Sequence, residues 1–133
     1  MKYRKPGFTL IEVLVAMSMI IILSGVFLPK YLGYKEKSIK AKGIFTGREL
    51  QGVAMSSFSQ SGSFIPMDIL ELTQKTTDVK LVIGNINVDK SNINIVTINY
   101  VSDDIIYCLY IDVSKGFKIL NKDKVIYDKM EPT

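Results

Sequence analysis

The 133-residue sequence contains no histidine and no tryptophan, and it has a single cysteine. Without histidine it lacks the commonest general base and the commonest metal ligand, and no Ser/His/Asp arrangement can form. Cys108 alone cannot close an internal disulfide or supply a spaced set of soft metal ligands. It lies in the apolar run from Ile105 to Ile111, where a free cysteine is expected to fill the core as a small hydrophobe. There is no phosphate-cradling G-x-x-x-x-G-K-[ST] motif. The adjacent Asp103 and Asp104 read as turn residues rather than a metal or paired-acid site, because neighbouring strand positions point to opposite sides. No metal, cofactor or catalysis is expected. Nine glycines and four prolines are too few for a collagen-like or disordered chain. The length suits one compact domain with one appended element and excludes a multidomain enzyme.

The formal net charge of +4 is unevenly placed. Lys2, Arg4 and Lys5 put three positive charges in the first five residues, and residues 30–60 hold six basic and two acidic side chains. Residues 61–133 carry eight basic and ten acidic groups. With no basic stripe interleaved with aromatics in that C-terminal part, nucleic-acid binding is not indicated.

From Phe8 to Leu28 runs a 21-residue stretch whose only ionisable side chain is Glu12. As a helix rising about 1.5 Å per residue it can cross a hydrocarbon core about 30 Å thick. So short a chain has too little remaining sequence to bury such a helix as a soluble core. The residues after the run, Val26 to Lys30, offer no small-residue cleavage site of the secretory type, so cleavage there is disfavoured.

Pro29 closes the apolar run, yet the composition of residues 30–57 allows helix to resume beyond a kink. Tyr31, Tyr34, Ile39, Ile44, Phe45, Leu50, Val53 and Ala54 approximate an apolar stripe. Gly43, Gly47 and Gly52 each lower helix stability by about 1 kcal/mol relative to alanine. The reading is one long bent helix ending near the cluster from Ser56 to Gly62. Pro66, followed by early carboxylates and the late Lys75, predicts a short second helix. Beyond it, strands are predicted over Val79–Ile83, Ile93–Val101, Ile105–Val113, Phe117–Leu120 and Val125–Tyr127, joined by connections too short for parallel crossovers. The fold class is therefore α+β, a long helix covering one face of a small antiparallel sheet.

The most specific signal is Lys5-Pro6-Gly7-Phe8-Thr9-Leu10-Ile11-Glu12, followed directly by an apolar span. Basic leader, glycine before phenylalanine and glutamate five residues into the product occur together. This resembles the prepilin motif of type IV pilins and the pseudopilins of type II secretion and competence systems. The resemblance implies removal of residues 1–7 between Gly7 and Phe8 by a membrane prepilin peptidase, N-methylation of Phe8, and assembly into a filament with other pilin subunits and the pilus assembly machinery. It implies that Glu12 pairs with the Phe8 amine of an adjacent subunit, and that Pro29 occupies the place of a helix-bending proline. Four segments follow: leader 1–7, transmembrane and filament-core helix 8–28, amphipathic helix 29–60, and a C-terminal region 61–133.

Elementary chemistry supports these roles. Gly7 can enter backbone conformations that a bulkier residue resists in a tight protease site. Lys2, Arg4 and Lys5 would hold the leader at anionic headgroups, each contributing about 1 kcal/mol near the surface. A carboxylate inside an apolar helix is a functional candidate by default and needs a partner. Ser18, Ser24 and Gly25 are small enough for close helix approach. The implied function is a structural pilus subunit; the alternative is a minor pilin or pseudopilin of a secretion or DNA-uptake system. The precursor is expected as a single-pass protein of the cytoplasmic membrane with its C-terminal domain outside, then as part of an extracellular filament. The lysines at 30, 35, 37, 40 and 42 outnumber the basic residues of the leader, so a bare positive-inside count gives the opposite orientation. A peptidase with a cytoplasmic active site must reach Gly7, which decides for the C-terminal domain outside. Unlike many type IV pilins of diderm bacteria, the chain cannot close a C-terminal loop with a disulfide.

Overall fold

The computed structural model describes residues 7–131. Helix α1 (Leu10–Ser61) runs for 52 residues without a break and contains Pro29. It stops at Gly62, whose φ of 70° lies in the left-handed region and whose amide donates to the Phe58 carbonyl at 2.8 Å. Glycine adopts that conformation without a Cβ penalty, which makes it a common helix terminator. By its contacts the chain divides into one unit up to Ser38 and another from Ile39 onward.

The second unit has a single hydrophobic core. Helix α2 (Pro66–Thr76) opens on proline, carries Asp68 in its first turn and Lys75 in its last, and buries Ile69 and Thr73. The buried Thr73 hydroxyl is satisfied by donating to the Ile69 carbonyl at 2.7 Å. Five strands follow: β1 (Ile86–Val88), β2 (Ile95–Ser102), β3 (Ile105–Asp112), β4 (Gly116–Asn121) and β5 (Lys124–Met130). They form one sheet in sequence order, every neighbouring pair antiparallel. The α+β architecture expected from the sequence is therefore the one observed.

Alternation along the strands sets the core. Val96, Ile98 and Tyr100 of β2, Tyr107, Leu109 and Ile111 of β3, and Phe117 and Ile119 of β4 are buried. They meet Leu50 and Ala54 of α1, Phe64, and Ile69 of α2 in one cluster. The same alternation corrects the expectation for Cys108. With Tyr107 and Leu109 facing inward, Cys108 falls on the opposite face, half-buried between Asn99 and Leu120 in the strand register. Burial raises its thiol above the ordinary value and nearby Asp123 adds to this, against a smaller opposing effect of Lys118.

Two further expectations change. The segment Val79–Ile83 is not a strand: Val82 and Ile83 are consecutive and both exposed, so the two-residue period of a ladder is missing. A single 3₁₀ turn at Ile83–Asn85 follows, and pairing begins only at β1. On α1, Tyr31, Tyr34 and Phe45 are exposed, while the buried positions are Gly43, Gly47, Leu50, Val53, Ala54 and Ser57. The face on the sheet is thus opened by glycines, not built from aromatics. A Cβ at Gly43 would overlap the Tyr107 ring, and one at Gly47 would overlap Tyr100 and Ile119.

Candidate processing and assembly site

Of the residues singled out by the sequence, Gly7, Phe8 and Glu12 lie at the start of α1, and Pro29 lies within it. Gly7, Phe8 and Thr9 precede the helix in non-helical backbone and are exposed. Phe8 is 90% exposed, and nothing lies within 4 Å of the position a Cβ on Gly7 would occupy. The Gly7–Phe8 bond therefore lies ahead of the helix, in exposed non-helical backbone. Lys2, Arg4 and Lys5 lie outside the described residues.

Helix α1 starts with a reciprocal cap that sequence reasoning did not find. Thr9 is its N-cap: the Glu12 amide donates to Thr9 Oγ1 at 3.3 Å, and the Thr9 amide donates back to Glu12 Oε2 at 2.8 Å. The Thr9 hydroxyl also donates to Glu12 Oε2, at 2.9 Å. The signal was present in the sequence as T-x-x-E immediately before an apolar run, the capping-box pattern. Such a box satisfies helix-end donors that would be costly to leave bare in an apolar surrounding.

From Phe8 to Leu28 the large apolar side chains are all exposed, each by at least 45%. The Ser18 hydroxyl is satisfied within the helix by donating to the Val15 carbonyl at 2.8 Å. Ile11, Glu12, Val15, Ala16 and Met19 line a shallow open depression of about 320 Å³. The helix is long and apolar enough to cross a membrane, and none of its most apolar window is buried in the protein itself. Pro29 lies inside continuous helix and has no N–H to offer the carbonyl four residues back, at Gly25.

Elsewhere, an open pocket of about 770 Å³ has a mixed lining that includes Lys42, Phe45, Glu49, Asp78, Val101 and Ser102. Lys42 is paired with Asp103 at 2.7 Å and Lys75 with Glu71 at 2.6 Å. Asp103 and Asp104 form the β2–β3 turn, both with positive φ. Among the described residues no group of three or more His, Cys, Asp or Glu side chains is placed to hold a metal ion.

Residues 2–28 match the prokaryotic N-terminal methylation motif. The chain carries the signature of type IV pilin-like and pseudopilin precursors, in agreement with the resemblance read from Lys5 to Met17. No curated protein and no solved structure matches the chain. The motif points to a structural, non-enzymatic protein that is processed by a prepilin peptidase and assembled with other pilin-type subunits. With the long apolar start of α1, it fits a membrane-anchored precursor that enters a filament.

Proposed function

We propose that this chain is the structural subunit of a type IV pilus filament. The peptidase cuts between Gly7 and Phe8, the Phe8 amine is methylated, and the apolar part of α1 leaves the bilayer to pack against copies of itself. The observation that carries this reading is Glu12, the lone ionisable side chain between Phe8 and Leu28 of a segment matching the methylation motif. An acid in so apolar a segment calls for a cation. Cleavage creates one, four residues earlier, at Phe8. Paired between adjacent subunits, the two charges neutralise each other inside the fibre, and a wrong register leaves an acid unpaired.

Pro29 serves this reading as a bending or stretching point, since one helical hydrogen bond is missing there. The C-terminal domain lies outside the membrane before assembly and on the fibre surface after it. In intact cells an added protease should therefore degrade residues beyond Lys30; a protected C-terminal domain would reverse the orientation.

The test of function is Glu12→Val in cells holding the assembly machinery. The variant should insert in the membrane at wild-type level and fall at least tenfold in sheared filaments. Undiminished incorporation would remove Glu12 from assembly. A minor pilin or pseudopilin carries the same acid and is separated by stoichiometry: a major subunit dominates the mass of sheared filaments.

A further inference from the structure

We propose that the cleft between α1, residues 77–80 and the end of β2 binds an extended, basic peptide, which joins the sheet as a short strand beside Val101. Such a site belongs to the C-terminal domain alone and needs no assembled filament.

The edge of β2 is open there. β1 pairs with Val96, Thr97 and Ile98, and from Asn99 to Ser102 the strand has β3 alone beside it. Ser102 and Ile105 close a two-residue hairpin, so they form its hydrogen-bonded pair. Pairs alternate back along the strands, and Val101 therefore turns its amide and carbonyl away from β3, to the open edge. Among the described residues neither group finds a backbone partner. Carried on in register, β1 would set Ile83 opposite Val101, but the chain leaves the sheet in the 3₁₀ turn at Ile83–Asn85. A cleft of about 770 Å³ opens beside this end of the strand, with Phe45, Glu49, Asp78, Val79, Val101 and Ser102 in its lining.

Ser102 is only 7% exposed, lines this cleft, and its Oγ has no hydrogen-bond partner. Buried hydroxyls are nearly always satisfied, so one left bare in a cleft wall marks a place for a polar group of a ligand. Charge selects that ligand. Of the three lysines in the lining, Lys42 is held by Asp103 and Lys75 by Glu71, which leaves Lys80. Against it stand Glu49 and Asp78, neither in an ion pair among the described residues, and the carbonyl end of α2 at Thr76. The Phe45 ring and the Val101 side chain, 63% and 55% exposed, offer apolar surface to the stems of basic side chains. An unpaired N–H and C=O on one residue match the C=O and N–H of one residue in an added strand.

The probe is acetyl-Thr-Lys-Val-Lys-Thr-amide, titrated into the isotope-labelled full chain in detergent micelles and followed by its backbone amide resonances. Shifts should map to Val79, Val101 and Ser102. N-methylation of the peptide's central valine removes one strand hydrogen bond and should weaken binding about tenfold. Glutamate in place of both peptide lysines should abolish it. Glu49→Gln combined with Asp78→Asn should weaken binding about fivefold. Val101→Pro, of a kind tolerated at a free edge, should fold as wild type and lose about tenfold in affinity. The peptide variants leave the protein untouched, so they decide the matter even where Val101→Pro disturbs the fold. Equal affinity of the parent and N-methylated peptides, or shifts that map elsewhere, would overturn the site. So would a Val101 amide already protected from hydrogen exchange without peptide: protection independent of protein concentration assigns the edge to residues 79–83 of the same chain, and protection that grows with concentration assigns it to a second copy.

Discussion

The Tyr100 hydroxyl donates to the carbonyl oxygen of Gly43 at 2.7 Å, tying β2 to α1. The contact exists because residue 43 has no side chain, and the Tyr107 ring, stacked on Tyr100 at a centroid distance of 5.5 Å, fills the space a Cβ would need. Gly43→Ala gains about 1 kcal/mol of helix propensity but forces an overlap of the kind that costs about 1–3 kcal/mol. The net expectation is a loss of about 1 kcal/mol. Gly52 has nothing within 4 Å of a Cβ position, so Gly52→Ala should instead stabilise by up to about 1 kcal/mol. Urea unfolding of the full chain in detergent, followed by tyrosine fluorescence, reads both signs.

Burial raises the Tyr100 phenol well above the ordinary tyrosine value, with smaller contributions from Tyr107 and Cys108. A group whose pKa is raised on folding favours the folded state below its unfolded value, and that advantage fades as pH rises beyond it. Stability should therefore fall from about pH 10 upward, where the unfolded chain begins to ionise its tyrosines. Tyr100→Phe should flatten this alkaline fall while lowering neutral-pH stability by about 1 kcal/mol through the lost hydrogen bond. Equal alkaline slopes in the two proteins would contradict the assignment.

Asp103 and Asp104 have φ of 49° and 61°, and Lys122 and Asp123 have 46° and 64°. Both pairs close two-residue hairpins between registered partners, Ser102 with Ile105 and Asn121 with Lys124. Two consecutive left-handed residues define the turn whose twist suits a hairpin, and glycine is favoured at its second place. Asp104→Gly and Asp123→Gly should each raise stability by about 0.5 kcal/mol, and Asp104→Val should lower it by about 1–2 kcal/mol. Thermal unfolding of the three variants orders them.

The apolar run, the cleavage motif, α2 and four of the five strands were legible because each rests on local pattern. The turn reading of Asp103 and Asp104 rested on residue type in the same way, and positive φ at both agrees with it. What escaped depends on partners far away in sequence. Gly43 and Gly47 count as weaknesses in an isolated helix and become the docking face only when Tyr100 and Tyr107 arrive. Val79–Ile83 has strand composition, yet only Leu81 of the run is buried, and no ladder forms there. Thr9 is legible as the first residue of a T-x-x-E capping box, a local pattern, although a lone acid in an apolar run reads first as one without a partner in its own chain, where Thr9 in fact holds it.

In the proposed function an apolar helix, freed of its leader at Gly7, joins copies of itself through Phe8 and Glu12. Mass spectrometry of the N-terminal peptide from sheared, purified filaments tests it most directly. The account predicts a peptide beginning with N-methylated Phe8; filaments lacking this chain, or containing it with residues 1–7 still attached, would contradict it.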